Sequence, residues 1–316
     1  MPQNLRTLKS RIRTAKNIAQ LAKTLEMVSV AKIRRARGLA ETVRPYAERI
    51  TSLGDTALRS IAPGEFVHPY LEPRIAARTG SASGARLLLV IGPDKGLCGP
   101  LVSNLVRKMI DEDTPDSRLI TVGKRMEAPA ARIAGKRLIA SFPVGSRLPE
   151  YSLVYDLVLA INELILSGKA ARLDVLYTRF VSYFTQVPTL DHVLPLASQG
   201  RGGPTAGAPS APAVAEAAEA AVAAEPSESE GERPHIIEPD LPGLLQALLP
   251  HYLEVRLFDS VIQAYSSEHG ARMVAMQNAK KNALEVAESF TLLYNKTRQE
   301  RITNEILDLA NTGKTA

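Results

Sequence analysis

The sequence predicts an α/β domain inserted between two long terminal helices that pair as an antiparallel coiled coil. Two observations carry this prediction. Apolar residues recur every three or four positions through residues 1–62 and again through residues 241–312, which is typical of amphipathic helices. Between them, residues 85–196 contain short apolar runs that alternate with helical segments, which indicates an α/β domain with a largely parallel sheet.

The first helix carries one narrow apolar stripe, formed by Leu5, Leu8, Ile12, Ala15, Ile18, Ala22, Leu25 and Val28. Such a stripe is the seam of a coiled coil. The pattern continues to Ile61, and we expect Pro45 to kink or loosen the helix because proline removes a backbone hydrogen bond. A helix of about 55 residues is about 80 Å long, which exceeds the diameter of a small domain.

The central domain follows a predicted loop, Gly64–Gly84, that is rich in Pro, Gly, Ser and charged residues. A buried strand at Arg86–Gly92, a glycine-rich turn and a helix at Leu101–Asp111 come next. Further strands are predicted at Leu119–Gly123, Leu138–Phe142, Leu173–Val181 and Val187–Leu194, and further helices at Met126–Ala134 and Pro149–Ser167. Strands that alternate with helices in this way predict a Rossmann-like domain.

Residues 197–240 are rich in Ala, Pro, Gly, Ser and Glu and have almost no large apolar residue. Such a segment cannot bury enough surface to offset its ordering entropy, so we predict a disordered insertion. Residues 241–312 are the predicted C-terminal coiled-coil segment, and within it the unbroken helix is predicted to begin after Pro250 and to end near Ala310. Its predicted stripe comprises Val255, Phe258, Ile262, Tyr265, Met273, Met276, Ala283, Ala287, Phe290, Tyr294, Ile302, Ile306 and Leu309.

Composition excludes several classes of protein. Cys98 is the single cysteine, so an internal disulfide is impossible, and this fits a reducing compartment. The five histidines form no HxxxH or HExxH pair, so no metal site is predicted. No run of residues reaches the roughly 20 apolar positions that a membrane-spanning helix needs.

The turn Gly92–Pro100 has the position at which α/β proteins bind phosphate, because it joins a strand to the N-terminus of a helix. It matches neither G-x-G-x-x-G nor G-x-x-x-x-G-K-[ST], so we favour a structural turn over a nucleotide site. Cys98 lies in this turn, but no sequence pattern pairs it with a histidine for nucleophilic catalysis.

Charge is distributed unevenly along the chain. The net charge is +6, yet residues 1–50 alone carry twelve Lys and Arg against three Glu, and residues 197–240 carry two Arg against eight acidic residues. The basic run Lys32–Arg37 favours an acidic partner: a nucleic acid, an anionic membrane surface or an acidic protein loop. No aromatic residue precedes Tyr46, so base stacking is not expected in this segment. A solvated helix face and an Arg-rich transit peptide are the alternatives.

Three segments make the sequence similar to the gamma subunits of F-type ATP synthases. They are the helix Ile12–Arg37 with its Met-Val-Ser…Lys-x-Arg-Arg signature, the turn Asp94–Gly99, and the run Ser267–Ile306. The resemblance covers nearly the whole chain. It implies a central rotor shaft of a proton-translocating synthase, which is non-catalytic by itself and has no cofactor.

The resemblance also implies partners. The coiled coil enters the catalytic hexamer of alpha and beta subunits, and the α/β domain rests on the membrane c-subunit ring beside the epsilon subunit. The implied head contacts are Met27, Lys32, Arg34 and Arg35, which face acidic loops of the beta subunits, and Arg298, Gln299, Thr303 and Glu305. Because family-like sequence begins close to Met1, we expect a bacterial protein on the cytoplasmic face of the inner membrane. A basic coiled coil that binds nucleic acid and an enzyme built on the Cys98 turn remain alternatives.

Some positions depart from the family pattern. One stretch is basic in this chain and acidic to neutral in the family; the residues that make it basic are Gln277, Lys280 and Lys281. Gly270 stands where a good helix former is expected, which costs about 1 kcal/mol relative to alanine. Pro100 replaces a glycine of the turn. The insertion at 197–240 is unusual in length and composition, and it has no cysteine for thiol regulation.

Overall fold

The computed structural model describes residues 5–60, 66–71, 86–145, 147–196 and 240–312, without the side chains of residues 55, 58, 59 and 308–312. Most of the predicted loop at 64–84 and nearly all of the predicted insertion at 197–240 lie outside these described residues.

Five helices and five strands form the described part of the chain. The helices are α1 (Leu5–Ser60), α2 (Leu101–Glu112), α3 (Lys124–Ala134), α4 (Tyr151–Leu166) and α5 (Leu241–Thr312). The strands are β1 (Arg86–Ile91), β2 (Arg118–Val122), β3 (Leu138–Phe142), β4 (Arg172–Phe180) and β5 (Gln186–Leu194). A short 3-10 turn, Gly135–Arg137, joins α3 to β3.

The start of the last helix differs from the prediction. Helix α5 begins at Leu241 and continues through Pro250, so the predicted start after Pro250 is wrong. Proline removes one backbone hydrogen bond, but Leu245, Leu249 and Leu253 on either side of it are buried. Burial of these three leucines outweighs the loss of one bond and holds the first turns of α5 in helical form.

The two long helices pack against each other in antiparallel orientation. The guanidinium of Arg11, near the start of α1, lies 5.6 Å from the ring centre of Phe290, near the end of α5. Gly54, near the end of α1, faces the ring of Tyr252, near the start of α5. The chain therefore runs in opposite directions in α1 and α5, and the predicted antiparallel pair of helices is confirmed. Helix α1 is unbroken at Pro45.

The seam of α1 differs from the predicted stripe. Ile18, Leu25 and Val28, which were assigned to the seam, are 49%, 38% and 46% exposed. The buried residues in this part of α1 are Leu8, Ala15, Ala19, Ala22, Ser29, Ile33 and Ala36. They follow a regular heptad from Leu8, and most are small. Small seam residues let two helix backbones approach closely, so the larger neighbouring side chains point outward.

The five strands form one sheet in the order β3-β2-β1-β4-β5. The first four are parallel and β5 is antiparallel to β4, so the predicted largely parallel sheet is confirmed. Side chains of β1 alternate between two cores. Leu87 and Leu89 pack on the side of α4 and α5, whereas Leu88 and Val90 pack on the side of α2 and α3. The sheet is thus attached directly to α5 of the coiled coil.

Candidate partner-binding surfaces

The outward face of α1 carries a second apolar stripe beside the seam. Ile18, Leu21, Leu25 and Val28 are spaced by three and four residues and are all exposed, and Met27 is 64% exposed. Large apolar residues of α5 are also exposed: Leu284, Val286, Leu292, Ile302, Ile306 and Leu307. A coiled coil that stands free in water has polar outer faces. Apolar residues on the outer face therefore make it a candidate contact surface.

The predicted basic residues of α1 divide into two groups. Arg34 and Arg35 are exposed and point to solvent, as a contact with a partner requires. Lys32 is half-buried and lies close enough to Arg272 and Glu268 of α5 to interact with their charges. Its pKa is lowered by burial and by the neighbouring cations Lys95 and Arg272. Lys32 therefore lies beside Arg272 and Lys95 at the edge of the protein interior as much as at the surface.

The predicted contacts in α5 lie near its end. Every described side chain from Arg298 to Leu307 is exposed. Within this segment the Thr303 hydroxyl donates to the Gln299 carbonyl at 2.9 Å, and Arg301 Nε pairs with Glu305 Oε1 at 2.9 Å. These contacts are local to the helix and leave its outer surface open to a partner.

The structure separates the two predicted groups. Glu26, next to Met27, lies beside Lys280 of α5. Arg298 follows Lys280 by eighteen positions, or about 27 Å along a helix. Any partner that contacts both groups must therefore extend along the coiled coil, or two partners are involved.

A buried arginine joins the coiled coil to the α/β domain, which we call the Arg272 junction. Arg272 is 6% exposed, and its Nη2 lies 2.5 Å from Glu268 Oε1. Its guanidinium donates to the carbonyls of Lys95 and Gly96 in the β1–α2 turn, each at 3.2 Å. Its Nη1 lies 2.8 Å from Nδ1 of His269. The junction fixes the turn against α5. The sequence signal for it is a Glu–Arg pair four residues apart.

The electrostatics of the junction keep His269 neutral. Burial lowers the pKa of this imidazole, and the nearby cations Arg272, Lys32 and Lys95 lower it further, to about 3. A neutral Nδ1 without a proton accepts a hydrogen bond from Arg272. At physiological pH the positive charges beside His269 are therefore those of Arg272, Lys32 and Lys95, and His269 itself carries none.

The carboxylate of Asp94 occupies the N-terminus of α3. Its Oδ1 accepts from the backbone N–H of Lys124 at 2.9 Å and of Val144 at 3.2 Å, and its Oδ2 accepts from Gly145 at 2.6 Å. An acid at this position satisfies the positive end of the helix from within the chain. The turn therefore has a structural role at α3.

Cys98 does not have the environment of a nucleophile. The side chain is 2% exposed and packs against Leu101 and Ala271. Burial raises the pKa of its thiol despite the nearby Arg272, so the thiol stays protonated at neutral pH. The environment of this cysteine thus favours packing over catalysis. Within the described part of the chain no cluster of His, Cys, Asp and Glu could hold a metal ion.

None of the described helices is long and apolar enough to cross a membrane. Comparison with known families gives a match to the ATP synthase family model over residues 4–314. The chain belongs to this family. A curated relative, the ATP synthase gamma chain of Dehalococcoides mccartyi, is 33% identical over 311 residues, which cover 97% of this chain and 96% of the relative. The ATP synthase gamma chain of Roseiflexus castenholzii is also 33% identical, with the same coverage of both chains.

Solved structures of ATP synthases have the same fold. A chain of the Euglena gracilis mitochondrial ATP synthase, from its OSCP/F1/c-ring structure, has a TM-score of 0.64 at 18% identity and covers 98% of this chain. The match covers 94% of that chain. A chain of the Tetrahymena thermophila central stalk and c-ring has a TM-score of 0.55 at 16% identity; the match covers 82% of this chain and 99% of that one.

This gamma chain is accordingly a central-stalk subunit and is non-catalytic by itself. The resemblance identified from the sequence is confirmed. Neither alternative, a nucleic-acid-binding coiled coil or an enzyme built on the Cys98 turn, has support from the family or its relatives.

Proposed function

We propose that this gamma chain is the rotor that couples proton-driven rotation of a membrane ring to ATP synthesis in a catalytic head of alpha and beta subunits. The observation that carries the proposal is the outward surface of the coiled coil, which is apolar and basic where a free coiled coil is polar. As a non-catalytic subunit, the chain acts by presenting different faces to the catalytic sites as it turns.

The head contacts fall on the exposed residues of both helices. Met27, Arg34 and Arg35 face acidic loops of the beta subunits, and Lys32 supports them from the edge of the Arg272 junction. Cationic side chains beside acidic loops attract and orient the partner surface. Near the end of α5, four exposed residues lie inside the head: Arg298, Gln299, Thr303 and Glu305.

The α/β domain forms the foot of the rotor. It contacts the epsilon subunit and the c-subunit ring on the cytoplasmic face of a bacterial inner membrane. The relatives named above are bacterial gamma chains, and the similar solved structure of Euglena gracilis includes a c-ring, which supports this placement. Because the Arg272 junction fixes the β1–α2 turn to α5, rotation of the foot is transmitted directly to the coiled coil.

The first experiment is reconstitution of cognate alpha and beta subunits with and without this chain. We expect the chain to assemble a complex and to raise multi-site ATP hydrolysis. The charge reversals Arg34→Glu with Arg35→Glu, and separately Arg298→Glu, should then lower this multi-site hydrolysis. Arg132→Glu, at an exposed position on α3 of the foot, is the matched control.

Two results would overturn the proposal at different levels. If no complex forms and hydrolysis is unchanged, the rotor function itself is wrong. If the complex forms but the reversals behave like Arg132→Glu, the chain is a rotor whose head contacts lie elsewhere. Salt-dependent binding to DNA without affinity for alpha or beta subunits would instead favour a nucleic-acid partner.

A further inference from the structure

The end of β4 is fixed to helix α5 by several contacts. Phe180, the last residue of β4, is buried, and its ring packs against Gly270. The backbone N–H of Phe180 donates to Gln263 Oε1 at 3.3 Å. Earlier in the same strand, the carbonyl of Thr178 accepts from the Ser267 hydroxyl at 2.8 Å. Because the sheet and α5 also share one buried core, this end of β4 and α5 form one rigid unit.

Arg37 of α1 reaches the same place from the other long helix. Its Cζ lies 5.3 Å from the ring centre of Phe180 and 4.8 Å from the ring centre of Tyr183, which lies in the turn between β4 and β5. The two rings are nearly perpendicular, at 89°, with their centres 5.8 Å apart. The guanidinium therefore lies in the corner between two aromatic rings, whose electron-rich faces attract a cation. We call this arrangement the Arg37 clamp.

The Nε atom of Arg37 is placed for contact with the rings rather than with water. This atom is buried and has no hydrogen-bond partner among the described residues. A buried N–H without an oxygen acceptor is costly unless another group stabilises it. The aromatic faces do so here, because an N–H can donate weakly to a π-face and a planar guanidinium stacks on it. Arg37 thus differs from Arg34 and Arg35 of the same basic run, which are exposed.

A contact outside the seam helps to hold α1 in place along α5. Most buried residues in this part of α1 are alanine or serine. Small side chains form shallow knobs, which resist the sliding of one helix along another less than large knobs do. The α1 residues proposed to contact the catalytic head begin at Met27, about 15 Å along the helix from Arg37. Their position during rotation therefore depends on how firmly α1 is held near Arg37.

We propose that Arg37 is a positioning residue for the transmission of torque: held between Phe180 and Tyr183, it fixes α1 to the α/β domain, so that both long helices turn with the foot. This inference rests on the rotor function proposed above. Contacts between the sheet and α5 drive α5 directly, and the Arg37 clamp carries the same rotation to α1 and to its head contacts Arg34 and Arg35. Without the clamp, α1 shifts along α5 under load, and part of the rotation is lost before it reaches the head.

The first test measures the clamp in the isolated full-length chain. The sequence contains no tryptophan, so Tyr183→Trp introduces a single fluorescent reporter that retains the cation–π contact. In this background Arg37→Gln should shift the emission to longer wavelength, because the indole gains contact with water. Hydrogen exchange of the amides in the turn 181–185 should rise about tenfold, which is the scale of a desolvated cation–π contact. Arg49→Gln, the same change at an exposed position of α1, is the matched control and should alter neither signal.

The second test measures coupling in the complete synthase, reconstituted into vesicles with each variant chain. Arg37→Gln and Tyr183→Leu should both lower ATP synthesis driven by a proton gradient, by at most the roughly tenfold weakening of the clamp. ATP hydrolysis by the same vesicles with the gradient dissipated should stay near the parent rate, because the rotor then turns against little load. Arg37→Lys keeps the charge and part of the ring contact and should recover part of the synthesis, whereas Arg49→Gln should behave like the parent chain.

The outcomes separate the clamp from the rotor function. If the parent chain supports neither assembly nor hydrolysis, the rotor function is wrong, and this role of Arg37 is wrong with it. If the parent synthase makes ATP and Arg37→Gln matches Arg49→Gln, only the inference about the clamp is overturned. A loss with Arg37→Gln that Tyr183→Leu does not reproduce also overturns it, because that result assigns Arg37 to a charge contact with the head. Unchanged emission and hydrogen exchange in the Arg37→Gln variant would show that the clamp does not form.

Discussion

The ammonium nitrogen of Lys280 lies 3.6 Å from Oε2 of Glu26, across the interface between α5 and α1. Lys280 is one of the positions that depart from the family pattern, and Glu26 lies in the seam of α1 rather than on its outer face. The two side chains are 36% and 23% exposed, so the pair is only partly screened by water. The lysine is therefore matched to an acid in the seam, which gives a physical reason for this departure.

Reversal of this pair should destabilise the coiled coil. Lys280→Glu places two carboxylates together in the seam, and we expect the free energy of unfolding to fall by about 1 kcal/mol, which is the scale of a partly exposed pair. Thermal unfolding of the purified chain measures the change. Lys281→Glu is the matched control, because Lys281 is the exposed neighbour of Lys280. The double change Glu26→Lys with Lys280→Glu should restore most of the loss. If Lys280→Glu and the control Lys281→Glu lower the free energy of unfolding equally, the pair contributes nothing.

The seam itself shows what the sequence could and could not predict. The presence of two long paired helices and of the largely parallel sheet was predictable, because long apolar periodicity and alternating strands and helices are strong signals. The choice of seam residues was not, because Ile18, Leu25 and Val28 are larger and more apolar than Ala19 and Ser29. Residue size pointed to the wrong face, while the regular heptad from Leu8 would have given the right one.

Of the candidate surfaces and contacts, only some were predictable from the sequence. The exposed Arg34 and Arg35 followed from charge and from the family signature. The Arg272 junction did not, because the Glu268–Arg272 spacing signals only an ion pair within α5, whereas the backbone carbonyls that Arg272 contacts lie about 176 positions away in sequence. The departure at Gly270 was also misjudged as a simple loss of helix propensity. A Cβ built at this glycine would lie 2.8 Å from Cε2 of Phe180, so the close approach of β4 requires it.

Two glycine substitutions should therefore have opposite effects. Gly270→Ala raises helix propensity but forces Phe180 aside, and we expect a net loss of about 1–3 kcal/mol in the free energy of unfolding. Gly38→Ala is the matched control on α1, where a Cβ meets nothing within 4 Å, and it should add about 1 kcal/mol. Chemical denaturation of both variants gives the comparison. Stabilisation by Gly270→Ala would contradict the assigned packing against Phe180.

The Arg272 junction should make stability depend on pH. In the folded chain the pKa of His269 is about 3, below the ordinary value of 6.5, because of burial and the neighbouring cations. Below pH 6.5 the unfolded chain therefore binds a proton that the folded chain does not. The contribution of His269 to the free energy of unfolding is therefore fully present above about pH 6.5 and is lost as the pH falls toward 3. At pH 5 the free energy of unfolding should be lower by about 2 kcal/mol. The measurement is the free energy of unfolding between pH 7.5 and pH 5.

A variant of this histidine tests the assignment. His269→Gln keeps an oxygen that can accept from Arg272 Nη1 and removes the titrating group, so its stability should vary less over this pH range than that of the parent chain. His251→Gln, at an exposed position of the same helix, changes the histidine count without touching the junction. If the two variants have the same pH profile, the junction is not the source of the dependence.

The outward stripe of α1 should matter for assembly and not for the fold. Ile18→Ser with Leu25→Ser replaces two exposed apolar side chains outside the buried seam, so we expect the melting temperature of the isolated chain to change little. Assembly with alpha and beta subunits should weaken, because apolar area that the head would cover is lost. Ala22→Glu, in the seam between these two positions, is the contrasting control: a charge in the seam should destabilise the isolated chain itself. Titration of the alpha–beta complex with each variant, beside its thermal unfolding curve, separates the two effects. A large loss of stability in the double serine variant would place its residues back in the seam and remove the basis for an outward contact surface.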